Sequence, residues 1–343
     1  MFMKIQYIIK EAKYYRKVNG LPRAVKKFIL TQSPCSKIVN TPYYNKYYKK
    51  VINKKAEKIK PTILQIENTN ICNAKCVMCP HSIMKRRQKI MKQEEFEKIF
   101  DNVMRSYKIK RVTITGFGEP LIDRCLAEKI AYTNRKYPKV KIDLYTNASL
   151  MTKEISEKLL KLKIDRITFS INGTSKNYKK VMGLDYEKTK NNVSYFLKMK
   201  RKLKNPILTN VSLMILKENE DDVKKFIDFW DQLADSVRVY APSDWAGMVK
   251  NIIQKNPFKT KKRWPCFVLW NNITVDVEGN VVLCCRDYES KGKFGNLLIK
   301  DAKEIRDDKK FRGLLNKQLN FDFNIAVCST CDNSLDSSID WAI

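Results

Sequence analysis

Cys72-Asn73-Ala74-Lys75-Cys76-Val77-Met78-Cys79-Pro80 places three thiols within eight residues, as a C-x3-C-x2-C run directly after the apolar, strand-like segment 62–67. A loop that leaves a strand with three sulfurs can wrap one corner of a small metal cluster. Iron-sulfur cubes are held by Cys thiolates, normally four. No fourth Cys lies near this run, so one iron is left without a protein ligand, open to a substrate or cofactor. The rival is a zinc loop, but structural zinc sites favour paired C-x2-C knuckles and often use His. This chain has one His.

Composition sets the frame around that loop. The chain has 343 residues and is 43% hydrophobic, enough for one barrel-sized domain plus a smaller one with a real core. Ten Cys in a chain this long, without a signal-peptide pattern at its start, do not read as a secreted disulfide framework; a reducing cytoplasm suits them. No uncharged apolar run approaches about twenty residues, so no membrane-spanning helix is expected. Lys and Arg number 68 against 36 Asp and Glu, a net charge of +32, and such a surface attracts anions, nucleic acid or acidic membranes.

The basic excess is densest over residues 1–60, where sixteen Lys or Arg face only Glu11 and Glu57. Apolar residues at helical spacing over 5–15, and again near 23–30 after Gly20-Leu21-Pro22, predict a basic helical N-terminal extension. Docking on the adjoining domain is its expected role, with a membrane surface or RNA as alternatives. From Pro61 short apolar runs alternate with charged amphipathic segments, the signature of repeated βα units. Strands are expected over 62–67, 111–115, 141–146, 165–171, 207–215 and 236–240. Helices are expected over 92–102, 126–136, 153–162, 192–202 and 220–233. Domains are expected over 61–250 and 260–335, with a tail over 336–343.

The ends of these strands carry the next motifs. After the second comes Gly116-Phe117-Gly118-Glu119-Pro120: glycines let backbone approach a neighbour closely, and a carboxylate there can receive an ammonium group. The third ends in Thr146-Asn147 and the fourth in Ser170-Ile171-Asn172-Gly173. Short polar side chains at strand ends suit hydrogen bonds to a ligand, and equally the capping of helices.

Cysteine loop, Gly-x-Gly-Glu-Pro and six βα-alternating strands together resemble the radical S-adenosylmethionine (SAM) superfamily. The resemblance implies an α/β fold, a partial (β/α)6 TIM barrel, with the chemistry at the strand carboxyl ends. It also implies a [4Fe-4S] cluster on Cys72, Cys76 and Cys79 whose open iron chelates SAM; an electron from the cluster then cleaves SAM to a 5'-deoxyadenosyl radical. An electron donor such as ferredoxin or flavodoxin is implied as well. Carried over residue by residue, Glu119 binds the methionine amine, with Gly116 and Gly118 beside it. Thr146, Asn147, Ser170 and Asn172 reach the SAM carboxylate and ribose. Met78 stands where the family has an aromatic beside the adenine; Met is adaptable enough to pack there. Asn172 departs from the family's Ser-x-Asp-Gly, so it is not expected to take protons. His81 either touches SAM or its cluster, stands behind them, or is exposed.

A second constellation runs from Trp264-Pro265-Cys266 through Gly279-x4-Cys284-Cys285-Arg286-Asp287 to Cys328-Ser329-Thr330-Cys331. The stretch 273–283 reads as a β-hairpin about Glu278-Gly279-Asn280, presenting Cys284 at its far end. Cys266, Cys284, Cys328 and Cys331 are then four candidate thiolates. Adjacent strand side chains point to opposite faces, so Cys285 is expected to miss the site. Cys35 and Cys125 read as ordinary buried or partly buried thiols. The spacing resembles the SPASM and twitch extensions of radical SAM enzymes, which implies a small α+β domain holding an auxiliary [4Fe-4S] cluster. Zinc on the same thiolates is the alternative.

Four Cys saturate a cluster and leave no iron for substrate, so electron transfer is its expected job. The expected function is therefore an oxidoreductase that dehydrogenates a small molecule by hydrogen abstraction, with the auxiliary cluster as electron acceptor. Asp287, Arg286, Asp244 and Tyr240 are the polar candidates for the accompanying base, Asp287 foremost. The rivals are a peptide-modifying maturase, an RNA-modifying enzyme of the same class, and a zinc-binding module without SAM chemistry.

Overall fold

The computed structural model describes residues 42–240, 245, 264–325 and 327–331. The helices expected before residue 42, Cys35, Asp244 and the tail over 336–343 lie outside the described residues.

All six expected strands form within a residue or two of their sequence bounds: β1 (Ile63–Ile66), β2 (Arg111–Ile114), β3 (Lys141–Thr146), β4 (Arg166–Ser170), β5 (Leu208–Met214) and β6 (Ser236–Tyr240). They pair in parallel in consecutive order, with Ile66 opposite Ile114 and Ile114 opposite Leu144. Parallel neighbours need crossover connections, usually helical. After α1 (Pro42–Ala56) these are α2 (Gln93–Ser106), α3 (Leu126–Lys136), α4 (Lys153–Leu160), α5 (Ser175–Met182), α6 (Tyr186–Lys202) and α7 (Val223–Trp230). Leu64, Ile66, Val112, Ile114, Ile142, Leu144, Ile167 and Phe169 are fully buried along the strands, each burial stabilising by about 1.5–3 kcal/mol before chain entropy is counted.

Two helices depart from the sequence expectation. Helix α6 starts six residues before the expected position 192, because the Asp185 side chain accepts from the Lys188 N–H and caps it. Helix α5 was not expected at all; it ends at Gly183, whose φ of +68° closes the helix in the left-handed region.

The sheet is open, not a closed barrel, and the C-terminal part joins it. After α8 (Val268–Asn271), β7 (Asn272–Val275) pairs in parallel with β1, Ile66 opposite Val275, and is followed by the antiparallel β8 (Asn280–Val282) and β9 (Gly295–Asn296). The resulting mixed sheet of nine strands runs β6-β5-β4-β3-β2-β1-β7-β8-β9. An open barrel leaves β1 with a free edge, and covering such an edge removes its unpaired backbone groups. The hairpin expected over 273–283 is thus present but extends the barrel sheet. Asp276 Oδ1 closes its turn by accepting from the N–H groups of Glu278 and Asn280.

Helices α9 (Ala302–Asp307) and α10 (Lys309–Leu319) finish the fold. Ile52 and Ala56 of α1 pack into a second apolar cluster with Trp264, Leu269, Trp270, Phe311, Leu314 and Cys328. This part of the basic extension therefore docks on the C-terminal cysteine region. Among the described residues, no helix is long and apolar enough to cross a membrane.

Candidate functional site

The Cys72–Cys79 loop is bound to the carboxyl ends of several elements. The last carbonyls of a helix lack intrahelical partners, and here the loop supplies them: Lys75 N–H donates to Met182 O and Val77 N–H to Val181 O, each at 3.0 Å, at the end of α5. The Asn73 side chain donates to Ser149 Oγ at 2.8 Å and accepts from Asn147 Nδ2 at 3.0 Å. Asn70 fixes the loop's return, donating to Arg87 O and accepting from Lys89 N–H. The His81 ring nitrogen pairs with Asn70 O at 3.0 Å, so His81 braces the loop. Cys72, Cys76 and Cys79 are all partly buried. Burial pushes their thiols up, Cys72 to about 11, with the neighbouring thiols and Glu119 adding to Cys72 and Cys76. Free thiolates are therefore unfavourable here, and coordination to a cation is what deprotonates such a thiol.

Glu119 is almost fully buried beside this loop. Its carboxylate accepts from Thr146 Oγ1 at 2.6 Å, Asn147 N–H at 2.7 Å and Leu121 N–H at 3.1 Å. Burial raises its pKa to about 7 against the lowering effect of those donors. Thr146 and Asn147 thus hold Glu119 and the Cys loop. The glycines have equally local duties. A Cβ on Gly118 would stand 2.3 Å from Thr69 O, and one on Gly116 2.3 Å from Glu67 Cγ; only glycine lets the Glu119 segment lie this close to the base of the Cys loop. Met78 is buried, and its carbonyl accepts from Trp245 Nε1 at 2.8 Å. Asn172 donates to Met182 Sδ at 3.2 Å and accepts from Met214 N–H at 2.8 Å, tying the end of β4 to β5 and α5. Ser170 ends β4 opposite Ser212.

Glu67, at the end of β1, was not singled out in the sequence. Its carboxylate forms a two-pronged pair with Arg86 and also accepts from Phe117 N–H at 2.9 Å and Val277 N–H at 3.0 Å. Arg86 donates to Tyr288 O at 2.6 Å, and Lys85 N–H to Glu289 Oε1 at 2.9 Å. One buried carboxylate thereby joins the Cys loop, the Gly116–Glu119 turn and the C-terminal hairpin. Phe117 packs against Trp245 and Tyr288 with the Arg86 guanidinium over its face.

The C-terminal cysteines meet in one cavity lined by Trp264, Cys266, Val268, Cys284, Cys285, Gln318, Cys328 and Cys331 among others. Burial pushes Cys266 up to about 12 and Cys284 well above the ordinary thiol value, with neighbouring thiols adding to both. Cys285 lines the same cavity, contrary to expectation. Strand β8 ends at Val282, so alternation between faces does not govern residues 284 and 285. Cys125 is exposed, not buried. Asp287 is buried, its two carboxylate oxygens accepting from Lys291 N–H at 2.9 Å and Gly292 N–H at 2.8 Å, a turn-closing geometry.

The donor sets fit iron-sulfur groups. Each is a group of sulfurs in a partly buried setting, and the amide Nε2 of Gln318 is buried at the C-terminal set with no hydrogen-bond partner among the described residues. Among those residues no three His, Cys, Asp or Glu side chains close on a single ion; a four-iron cube takes each thiolate at a separate corner and does not require that convergence.

Comparison with known proteins finds a match for both regions of the chain. Residues 66–229 match the family model of the radical SAM superfamily, and residues 266–332 that of an iron-sulfur cluster-binding domain. The chain is 22% identical over 256 residues to an S-adenosyl-L-methionine-dependent 2-deoxy-scyllo-inosamine dehydrogenase of Niallia circulans, covering 73% of this chain and 84% of that protein. It is 27% identical over 180 residues to a GTP 3',8-cyclase of Clostridium botulinum, covering 51% of this chain and 54% of that enzyme. The structure of BtrN in complex with AdoMet and 2-DOIA aligns with a TM-score of 0.56 at 20% identity, over 80% of this chain and 93% of that one. Streptococcus suis SuiB bound to its precursor peptide SuiA aligns with a TM-score of 0.62 at 17% identity, over 92% and 84%. At such identities the structural likeness is one of fold.

Proposed function

We propose that this chain, which belongs to the radical SAM superfamily and carries a C-terminal iron-sulfur cluster-binding domain, dehydrogenates a small molecule and passes an electron to the auxiliary cluster. One observation carries this reading: a loop with three thiols, which leaves an iron open, shares a continuous sheet with a cavity lined by five, which can saturate a cluster. When bound, SAM and the first cluster supply the 5'-deoxyadenosyl radical that abstracts hydrogen.

In this reading Cys72, Cys76 and Cys79 hold the first cluster. Glu119 receives the SAM ammonium, oriented by Thr146 and Asn147, while the buried Met78 flanks the ligand. Cys266, Cys284, Cys328 and Cys331 hold the second. The Glu67–Arg86 pair keeps the two cysteine regions in register. The dehydrogenase of Niallia circulans, matched over 84% of its length, supports two-electron oxidation of a small molecule. The substrate's proton leaves to a nearby base, for which Asp287, held by two backbone amides, is the candidate.

A peptide substrate is the second reading, favoured by the uniformly basic α1, with five Lys and no acid, which suits an acidic peptide. Incubating the iron-loaded enzyme anaerobically with SAM, a one-electron reductant and candidate substrates tests both. Small-molecule oxidation consumes SAM, yields a product two mass units lighter and leaves the auxiliary cluster reduced. Peptide-dependent SAM cleavage without small-molecule oxidation would favour the second.

A further inference from the structure

We infer that Gln318 donates a hydrogen bond to a sulfur of the group held by the C-terminal cysteines and thereby raises that group's reduction potential. The inference rests on the auxiliary-cluster reading above. Gln318 lies in the last turn of α10, is 1% exposed and lines the cysteine cavity. Its Oε1 accepts from the backbone N–H of Cys266 at 3.0 Å. That bond fixes the amide's orientation, because the flipped amide would set N–H against N–H.

Nε2 is then a buried donor with no partner among the described residues. An unmade buried donor carries its full desolvation penalty, so a native interior supplies an acceptor. Cys266, Cys284, Cys285, Cys328 and Cys331 line the cavity with it, and the sulfurs of a group held there are acceptors for this donor. Arg286 adds a second donor, its Nη1 3.9 Å from Cys331 Sγ. Hydrogen bonds to cluster sulfurs are among the factors that set the potential; they favour the reduced, more negative state. Gln318 is thus a positioning residue for electron acceptance, acting without touching substrate.

The test uses full-length protein carrying Cys72→Ala, Cys76→Ala and Cys79→Ala, so that only the C-terminal cluster gives an electron paramagnetic resonance signal. Adding Gln318→Met is expected to keep about four iron atoms per chain, lower the midpoint potential and abolish a nitrogen modulation in the pulsed spectrum of the reduced cluster. A purely packing role would leave potential and modulation unmoved, and either result overturns the inference. If the Met variant loses its iron, the parent protein decides alone. Cell-free synthesis with side-chain 15N-glutamine is expected to change the modulation, and identical labelled and unlabelled spectra overturn the inference. A parent with no cluster signal overturns the auxiliary-cluster reading itself, whereas a signal without a glutamine nitrogen overturns only the role of Gln318.

Discussion

Arg86 meets Glu67 through both guanidinium prongs, Nη1 to Oε2 at 2.7 Å and Nη2 to Oε1 at 2.9 Å, with both side chains nearly buried. The pair joins the end of β1 to the return of the Cys loop, and two backbone amides from other segments close on the same carboxylate. Removing one partner of a buried pair strands the other's charge at a cost of about 3–5 kcal/mol. Glu67→Gln is expected to lower unfolding free energy by that order in anaerobic urea titration, and to weaken iron retention at both cysteine sets. Loss from one set alone would separate the two regions.

Glu119 gives a pH dependence whose sign is fixed by burial. Its pKa is raised from 4.5 to about 7, so the folded state holds the proton more tightly than the unfolded one. The stability this adds is fully present below about pH 4.5 and is lost as pH rises through about 7. An ammonium ligand prefers the ionised form. SAM affinity is therefore expected to rise between about pH 6 and 7, below the range of about 7.7–8.0 where an α-amine loses its own proton. Glu119→Gln should weaken binding by about 1.5–3 kcal/mol, the worth of a charge-assisted hydrogen bond, and flatten the profile. Calorimetric titration across that range checks both.

Gly118 separates Glu119 from the Cys loop by a margin no side chain can share. A methyl there would lie 2.3 Å from Thr69 O and 2.7 Å from Ile71 O, both backbone atoms. Gly118→Ala is expected to displace the loop base at a cost of about 1–3 kcal/mol or more. It should lower iron at the first site and leave the second at about four atoms. Iron analysis beside a Cys328→Ala control, which depletes the other site, distinguishes the two.

Lys129 and Asp123 form a fully buried pair at 2.6 Å, with Asn68 Nδ2 and Cys125 N–H on the same carboxylate. Lys129→Met is expected to cost about 3–5 kcal/mol by stranding Asp123. The double variant with Asp123→Asn should recover part of that loss. A double-mutant cycle in urea measures the coupling.

Much of this was legible in the sequence because ligand chemistry dictates residue type and spacing together. Three cysteines at C-x3-C-x2-C and the Gly279-x4-Cys284 spacing are local patterns, and the short apolar runs marked all six barrel strands. Glu67 was not legible: its partners are residues 86, 117 and 277, and nothing near it announces them. Gln318 is hidden for the same reason, its one bond reaching back to residue 266. Helix α5 is short and rich in Lys, so its apolar face shows only once Tyr178, Val181 and Met182 are buried against the fold. Cys285 was misplaced because strand alternation was carried past Val282, where the strand stops. The edge of β1 was filled by β7 across some two hundred residues of chain, a pairing no local pattern specifies.

Anaerobic cleavage of SAM with dithionite as reductant, scored as 5'-deoxyadenosine by mass spectrometry in wild type and Cys76→Ala, tests the central claim most directly. The expected result is product from the wild type and none from the variant. No product from either, in a wild-type preparation with about eight iron atoms per chain verified, would contradict the assignment of radical chemistry to the Cys72–Cys79 loop.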